Sequence, residues 1–398
     1  MNTVAKPIGL ALSGGGYRAV LFTLGSLWRL NELGLLKKID CITSVSGSSI
    51  ISAYLAINWS NLQFNQDDVA LNFEEVIAKP LQSFCSKPLD LIAIALGMGN
   101  PRKTIGNYIA DLYAKRLFKD KTLADIPSSN GCPKFIFYAT SMQTGVSVRF
   151  SQRYISEYTL GKINNPKTRL ATVVAASSAF PPFLSPVKLK VKPSIWESTK
   201  MSDEYKFERI KGGNIELDEQ LHQEIVLTDG GVYDNLGLEA LTKGDFQNDK
   251  KDIACDTVLC CDAGAPFKEK SRLYLDWMNQ ALRANSVIFR QTQALRKRNL
   301  IDCFKDLDNN GKPRRFGGTY WGIATDIDDY GLSNSMVKDN EITKKLRNTR
   351  TRLNSFSKKE QGQLINWGYA LTDTAIRRWV INDGTLKPGV FPMAERLE

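Results

Sequence analysis

The chain has 398 residues, 42% of them hydrophobic, which is enough to bury a large core and excludes global disorder. A single histidine, His222, and seven cysteines without a C-x-x-C pair exclude zinc sites of the His/Cys type, and the scattered cysteines read as buried, reduced thiols of a reducing compartment. A net charge of +11 calls for an anionic partner; with no zinc-finger spacing and no aromatic RNA-binding signature, that partner reads as a phospholipid surface and not a nucleic acid.

Ile8-Gly9-Leu10-Ala11-Leu12 reads as a first strand and not as a leader. Ser13-Gly14-Gly15-Gly16-Tyr17-Arg18 follows, then an amphipathic helix over 17–33 that Gly34 stops. A second strand runs from Ile39 to Val45, a tight turn spans Ser44 to Ser48, and a helix opens at Gly47. This strand–helix–strand–helix rhythm is that of a parallel sheet with helices outside.

Residues 60–130 lose the rhythm and read as an insertion placed to cover a site, with helical pieces at Phe73–Phe84, Leu89–Leu96 and Ile105–Phe118 separated by Pro80, Pro88 and Pro101. Leu89–Leu96 has two readings, packed core and lipid-facing surface, of which core is the simpler. Strands are expected at Lys134–Ser141, Val146–Phe150, Pro186–Val191, Ile225–Thr228 and Thr257–Cys261, with a helix at Ala171–Ala176 that ends by Pro181-Pro182. Residues 192–220 read as a surface loop or hairpin. Beyond 270 the pattern is helical at Tyr274–Leu300, Asn340–Leu353 and Lys359–Trp379, with a late strand within Phe316–Ile327. The cluster Lys344, Lys345, Arg347, Arg350 and Arg352 reads as a solvated helix face or a contact for an anionic surface. No apolar run reaches the ~18 residues a bilayer span needs.

Three features fall at the C-terminal ends of strands read as parallel: the glycine turn after Leu12, Ser46 after Val45, and Asp229 after Thr228. Open α/β sheets place ligands at that edge. A serine at a tight strand-to-helix turn is a nucleophile elbow, and it needs an adjacent base. No histidine follows Asp229, and His222 lies at the other end of a strand that spans ~13 Å. The inference is a dyad in which Asp229 takes the Ser46 proton. Backbone N–H groups of Gly14, Gly15 and Gly16, at the N-terminus of the first helix, would face the developing oxyanion. Arg18 either orients that turn or attracts a phosphate head group. Gly14-x-Gly16-x-x-Ala19 also fits a dinucleotide fingerprint, but Ser44–Ser48 stands where the second strand should end in an acid.

Together with Ala139-Thr140-Ser141-Met142-Gln143-Thr144-Gly145 and the run Ala175 to Phe183, these motifs resemble the patatin-like phospholipase family over roughly 8–265. The resemblance implies a three-layer α/β/α fold with a central, mostly parallel sheet. A catalytic domain is expected over 1–265, interrupted by the 60–130 insertion, with a mainly helical C-terminal region over 266–398 packed on it. It implies Ser46 as nucleophile, Asp229 as base, and Gly14, Gly15, Gly16 and Arg18 as the oxyanion region, acting on acyl esters of phospholipids or other lipids. No metal or other cofactor is expected, and the protein is expected in the cytoplasm, peripheral at a membrane. Ser44 and Ser48 depart from the common glycines, although Gly47-Ser48 resembles the elbow of the cytosolic phospholipase A2 group. Two alternatives are an acyltransferase using the same acyl-enzyme and a catalytically silent lipid- or partner-binding module. A regulatory partner or ligand would act through the insertion or the C-terminal third.

Overall fold

The computed structural model describes residues 7–89, 104–129, 131–181, 184–198, 220–243, 255–267, 269, 271–272, 276–382 and 384–398. Beyond Leu89, the Leu89–Leu96 piece lies outside them, as does most of the 192–220 loop.

In chain order the elements are β1 (Ile8–Leu12), α1 (Gly16–Glu32), β2 (Cys41–Val45), α2 (Gly47–Asn58), α3 (Lys79–Cys85), α4 (Ile105–Tyr113) and β3 (Lys134–Ser141). They continue with β4 (Ser147–Phe150), β5 (Tyr154–Glu157), β6 (Gly161–Asn164), α5 (Leu170–Ser178), β7 (Val187–Lys190) and β8 (Glu224–Asp229). The short α6 (Gly231–Asp234) and α7 (Glu239–Lys243) precede β9 (Thr257–Asp262), α8 (Trp277–Lys305), β10 (Gly317–Gly322), α9 (Glu341–Arg347) and α10 (Lys358–Trp379).

β1, β2, β3, β9 and β10 pair in parallel in the order β10-β9-β1-β2-β3. β4, β5 and β6 extend the sheet as an antiparallel meander. Side chains alternate between two cores with the period of two that a strand imposes. Leu10, Leu12, Ile42, Phe135, Phe137 and Leu259 face one core with α1, α2, α4, α5 and α10. Ala11, Cys41, Val45, Ile136, Tyr138 and Val258 face the other with α7 and α8. Both faces are covered, so the parallel strands read as nearly continuous apolar runs. The expected layering of helices on a mostly parallel sheet is the one observed.

β8 departs from expectation. It does not run parallel to the core strands; it pairs antiparallel with β3, Asp229 opposite Ala139 and Leu227 opposite Ser141. β2 stops at Val45 opposite Tyr138, while β3 runs on to Ser141, leaving one edge of its last residues open. β8 fills that edge from the opposite direction, so β2 and β8 meet end to end along β3. A short apolar run such as Ile225–Thr228 carries no signal of strand direction. β10 lies beside β9 in the same sheet, so the C-terminal third supplies a strand as well as helices.

α1 is buried along almost its whole length because α10 packs against its outer side. The crossing is so close that a Cβ on Gly25 would run into the Ile365 carbonyl, and one on Gly368 into the Phe22 carbonyl. Arg29 of α1 and Arg377 both hold the fully buried Asp373 carboxylate, at 2.7 and 2.8 Å. Gly25→Val is therefore expected to lower stability by about 3 kcal/mol or more, read as a shift in urea midpoint, because a backbone carbonyl cannot move aside as a side chain can.

Candidate active site

Ser46 joins β2 to α2 with φ 53° and ψ −127°, a conformation that L residues rarely adopt. The surroundings hold it there. Its N–H donates to Ser177 Oγ at 2.9 Å, Ser177 Oγ lies 2.8 Å from Ser49 Oγ, and the Ser49 hydroxyl donates to Ser44 Oγ at 3.1 Å. Ser49 N–H closes the first turn on the Ser46 carbonyl at 2.9 Å. Ser44, the departure from the common glycine, is thus a buried member of a serine network under the elbow. Ser48 pairs with Thr23 at 3.0 Å. Ser177 was not singled out by sequence; its only signal is membership of the Ala175–Pro182 small-residue run.

Asp229 sits at the end of β8, 1% exposed. Its backbone N–H donates to the Ala179 carbonyl at 3.1 Å and its carbonyl accepts from Thr140 Oγ1 at 2.9 Å. Oδ1 accepts from the Gly231 N–H at 2.7 Å. Oδ2 is buried and has no fully formed hydrogen bond among the described residues. Burial pushes the carboxyl up to a pKa of about 7, while the nearby Ser46 hydroxyl and the Gly231 N–H favour its charged form and oppose the rise. Active-site hydrogen bonds are often long before substrate arrives.

The glycine turn lies directly against Ser46. A Cβ on Gly14 would sit 2.8 Å from the Ser46 Cβ and 2.5 Å from Asn235 Oδ1, so only glycine fits. Gly15 and Gly16 carry positive φ, 154° and 58°. The Gly14 N–H donates to the Asn235 carbonyl at 3.2 Å, which takes it away from the three expected donors. Gly15 and Gly16 N–H donate to no described residue, and the first turn of α1 holds no acidic side chain. The structure therefore brings Ser46, Asp229 and the glycine turn to one point.

Arg18 takes the orienting place and not the phosphate-attracting one. It is fully buried, and its guanidinium donates to the Ala263 carbonyl at 2.8 and 3.1 Å and to the Thr349 carbonyl at 2.7 Å. Burial lowers its pKa to about 10, partly offset by Asp262. Asp262 also accepts from Ser13 Oγ at 2.8 Å, so both ends of the turn are pinned beside β9. Nearby, Phe84 packs edge to face on Tyr17 of α1 and tilted on Tyr113, with centroids 5.2 and 6.1 Å apart, and Tyr113 Oη lies 3.0 Å from Ser178 Oγ. His222 stands apart, its Nε2 3.0 Å from the Leu160 carbonyl and its ring against Trp196. The basic cluster is largely neutralised: Arg347 pairs with Asp326 and Asp339, Arg350 with Glu360, and Lys344 with Glu341.

A helix-covered sheet with a serine at a strained strand-to-helix turn, facing a buried carboxylate and a glycine turn, has the elbow architecture of the α/β hydrolytic proteins. The family model for patatin-like phospholipases matches residues 10–242, more than half of the chain, and the chain belongs to that family. Among solved structures it is similar to human GIVD cytosolic phospholipase A2, with a TM-score of 0.50 and 12% identity, covering 93% of this chain and 61% of that one. The same human protein in complex with methyl gamma-linolenyl fluorophosphonate gives 0.51 and 15%, covering 93% and 57%. At such identities the likeness is one of fold, and the present chain spans only about 60% of the length of those structures. A search of curated proteins gave no match. Among the described residues no helix is long and apolar enough to cross a membrane.

Proposed function

We propose that this protein is a serine acyl-ester hydrolase that cleaves fatty acyl esters of phospholipids through a Ser46–Asp229 dyad. The observation that carries this reading is the end-to-end meeting of β2 and β8, which sets a strained serine against a buried carboxylate poised near neutral pH. Asp229 Oδ2 takes the Ser46 proton as Oγ bonds to the ester carbonyl carbon. Negative charge moves to the carbonyl oxygen, where the Gly15 and Gly16 N–H groups at the N-terminus of α1 stabilise it. The ester C–O bond then breaks, and the proton passes from Asp229 to the departing lysophospholipid alkoxide. Water, activated by the same carboxylate, attacks the acyl-enzyme and releases the fatty acid. Gly14 leaves room for Ser46, and Arg18 fixes the turn without touching substrate. The seven cysteines, all as free thiols, support a reducing cytoplasmic setting.

The human relative bound to a fluorophosphonate suggests the test. An alkyl fluorophosphonate should phosphonylate one residue, with loss of fluoride, and peptide mass spectrometry should place the adduct on Ser46. Adduct elsewhere, or none while fatty acid is still released, would remove Ser46 from the mechanism. Free fatty acid as the product separates hydrolysis from acyl transfer, in which the acyl chain reappears on an acceptor alcohol.

A further inference from the structure

α8 is anchored chiefly through its C-terminal half. Its C-terminal half sends Leu300 and Cys303 into the second core, Gln293 Nε2 onto Asp262 at 3.0 Å and Arg296 onto Asp234 at 3.4 Å. From Trp277 to Thr292 no residue is buried. That half, about 24 Å of helix, carries an exposed apolar stripe that runs on to Leu295. Trp277, Ile288 and Leu295 are 77%, 64% and 59% exposed and recur at multiples of three to four residues on one side, with Ala281 and Ala284 between them. A soluble surface rarely leaves such a stripe without a partner.

The base of the exposed half adjoins the site. Phe289 packs edge to face on Phe180 at 6.1 Å, and Phe180 follows Ala179, whose carbonyl binds the Asp229 N–H. Charge selects the partner. The exposed half carries Arg283 and Arg290, Arg298 follows, and no acidic residue falls between Trp277 and Ile301. Two such helices laid together would repel, whereas an anionic bilayer attracts them. A basic helix with an apolar face and a tryptophan at its end lies in a membrane interface.

We propose that the exposed half of α8 is the membrane-docking element, inserting Trp277 and Ile288 into the surface of an anionic phospholipid bilayer and setting the mouth of the Ser46 site against it. This rests on the phospholipase reading above. The test uses the full chain. In a Ser46→Ala background, cosedimentation with phosphatidylglycerol–phosphatidylcholine vesicles is compared with and without Trp277→Ser and Ile288→Ser. The pair should weaken binding about a hundredfold. Added salt and pure phosphatidylcholine should each weaken the parent's binding. With Ser46 intact, the pair should lose vesicle hydrolysis but hydrolyse soluble p-nitrophenyl butyrate at the unchanged rate, which also shows that the fold is intact. Equal vesicle binding by parent and variant overturns the proposal, as does a parent dimer that the substitutions turn into monomer, because a second copy then covers the stripe. If the parent binds vesicles through this face but the protein with Ser46 cleaves no ester, docking stands and the catalytic reading falls. If vesicles are hydrolysed equally by both, docking falls and the catalytic reading stands.

Discussion

Replacing Ser46 with alanine is expected to reduce fatty-acid release from phospholipid by roughly four to six orders of magnitude while leaving the protein folded. The nucleophile has no understudy, since Ser44, Ser48, Ser49 and Ser177 are all buried in hydrogen-bonded pairs beneath the turn. A second substitution separates chemistry from backbone strain. At φ 53° a residue with a Cβ costs roughly 1–3 kcal/mol, a cost that glycine escapes. Ser46→Gly should therefore be as inactive as Ser46→Ala but more stable by about 1 kcal/mol. Matched urea midpoints for the two would show that the elbow holds no such strain, and residual turnover in both would show that Ser46 is not the nucleophile.

Asp229→Asn should move activity and stability in opposite directions. An amide cannot accept the Ser46 proton, so hydrolysis should fall roughly 10²–10⁴-fold. The wild-type rate should rise with pH up to about 7 and level off above, following ionisation of the base, and the variant should lack that limb. Stability follows the same proton. Asp229 titrates near 7 when folded and near the ordinary 3.8 when unfolded, so the folded state holds the proton more tightly. Its favourable contribution is complete below pH ~4, is lost as pH rises from there to about 7, and stays lost above. Asparagine carries no charge to desolvate. Its advantage over wild type should grow across that window and level off at a few kcal/mol, with ~4 kcal/mol as the upper bound set by a three-unit shift. Thermal melts at pH 5, 6, 7 and 8 would test this, and a pH-independent difference would mean that burial does not perturb the carboxylate.

Much of the scaffold was legible because local rules wrote it. Nearly continuous apolar runs ending in glycine or serine turns mark the parallel strands β1 and β2, and the long periodic stretches mark α1, α8 and α10. The four-residue strands β5 and β6 carry no clear sequence signal: Tyr154–Glu157 and Gly161–Asn164 mix polar and apolar residues, and each is held by its neighbour, β5 by β4 and β6 by β5. The three parts of the candidate site were visible as turns, but their assembly was not. Asp229 reaches Ser46 because β3 outruns β2 and accepts β8 from the far end, a long-range pairing with no local signature. The support by Ser177 lies 131 residues away in sequence from Ser46. Arg18 could be read as orienting the turn or attracting a phosphate head group, and only the carbonyls of Ala263 and Thr349 decide between them.

Those carbonyls also separate ancestry from mechanics. The family-matched segment ends at residue 242. Yet the Tyr17 N–H is held by the Arg352 carbonyl at 3.1 Å, the Arg18 guanidinium by Thr349, and Gly16 is walled in by the Arg352 backbone. The turn that faces Ser46 is closed by chain from far beyond the inherited module. A fragment cut at the homology boundary would keep every signature residue and lose the clamp that aims them, so the smallest recognisable unit of this protein is smaller than its smallest working one.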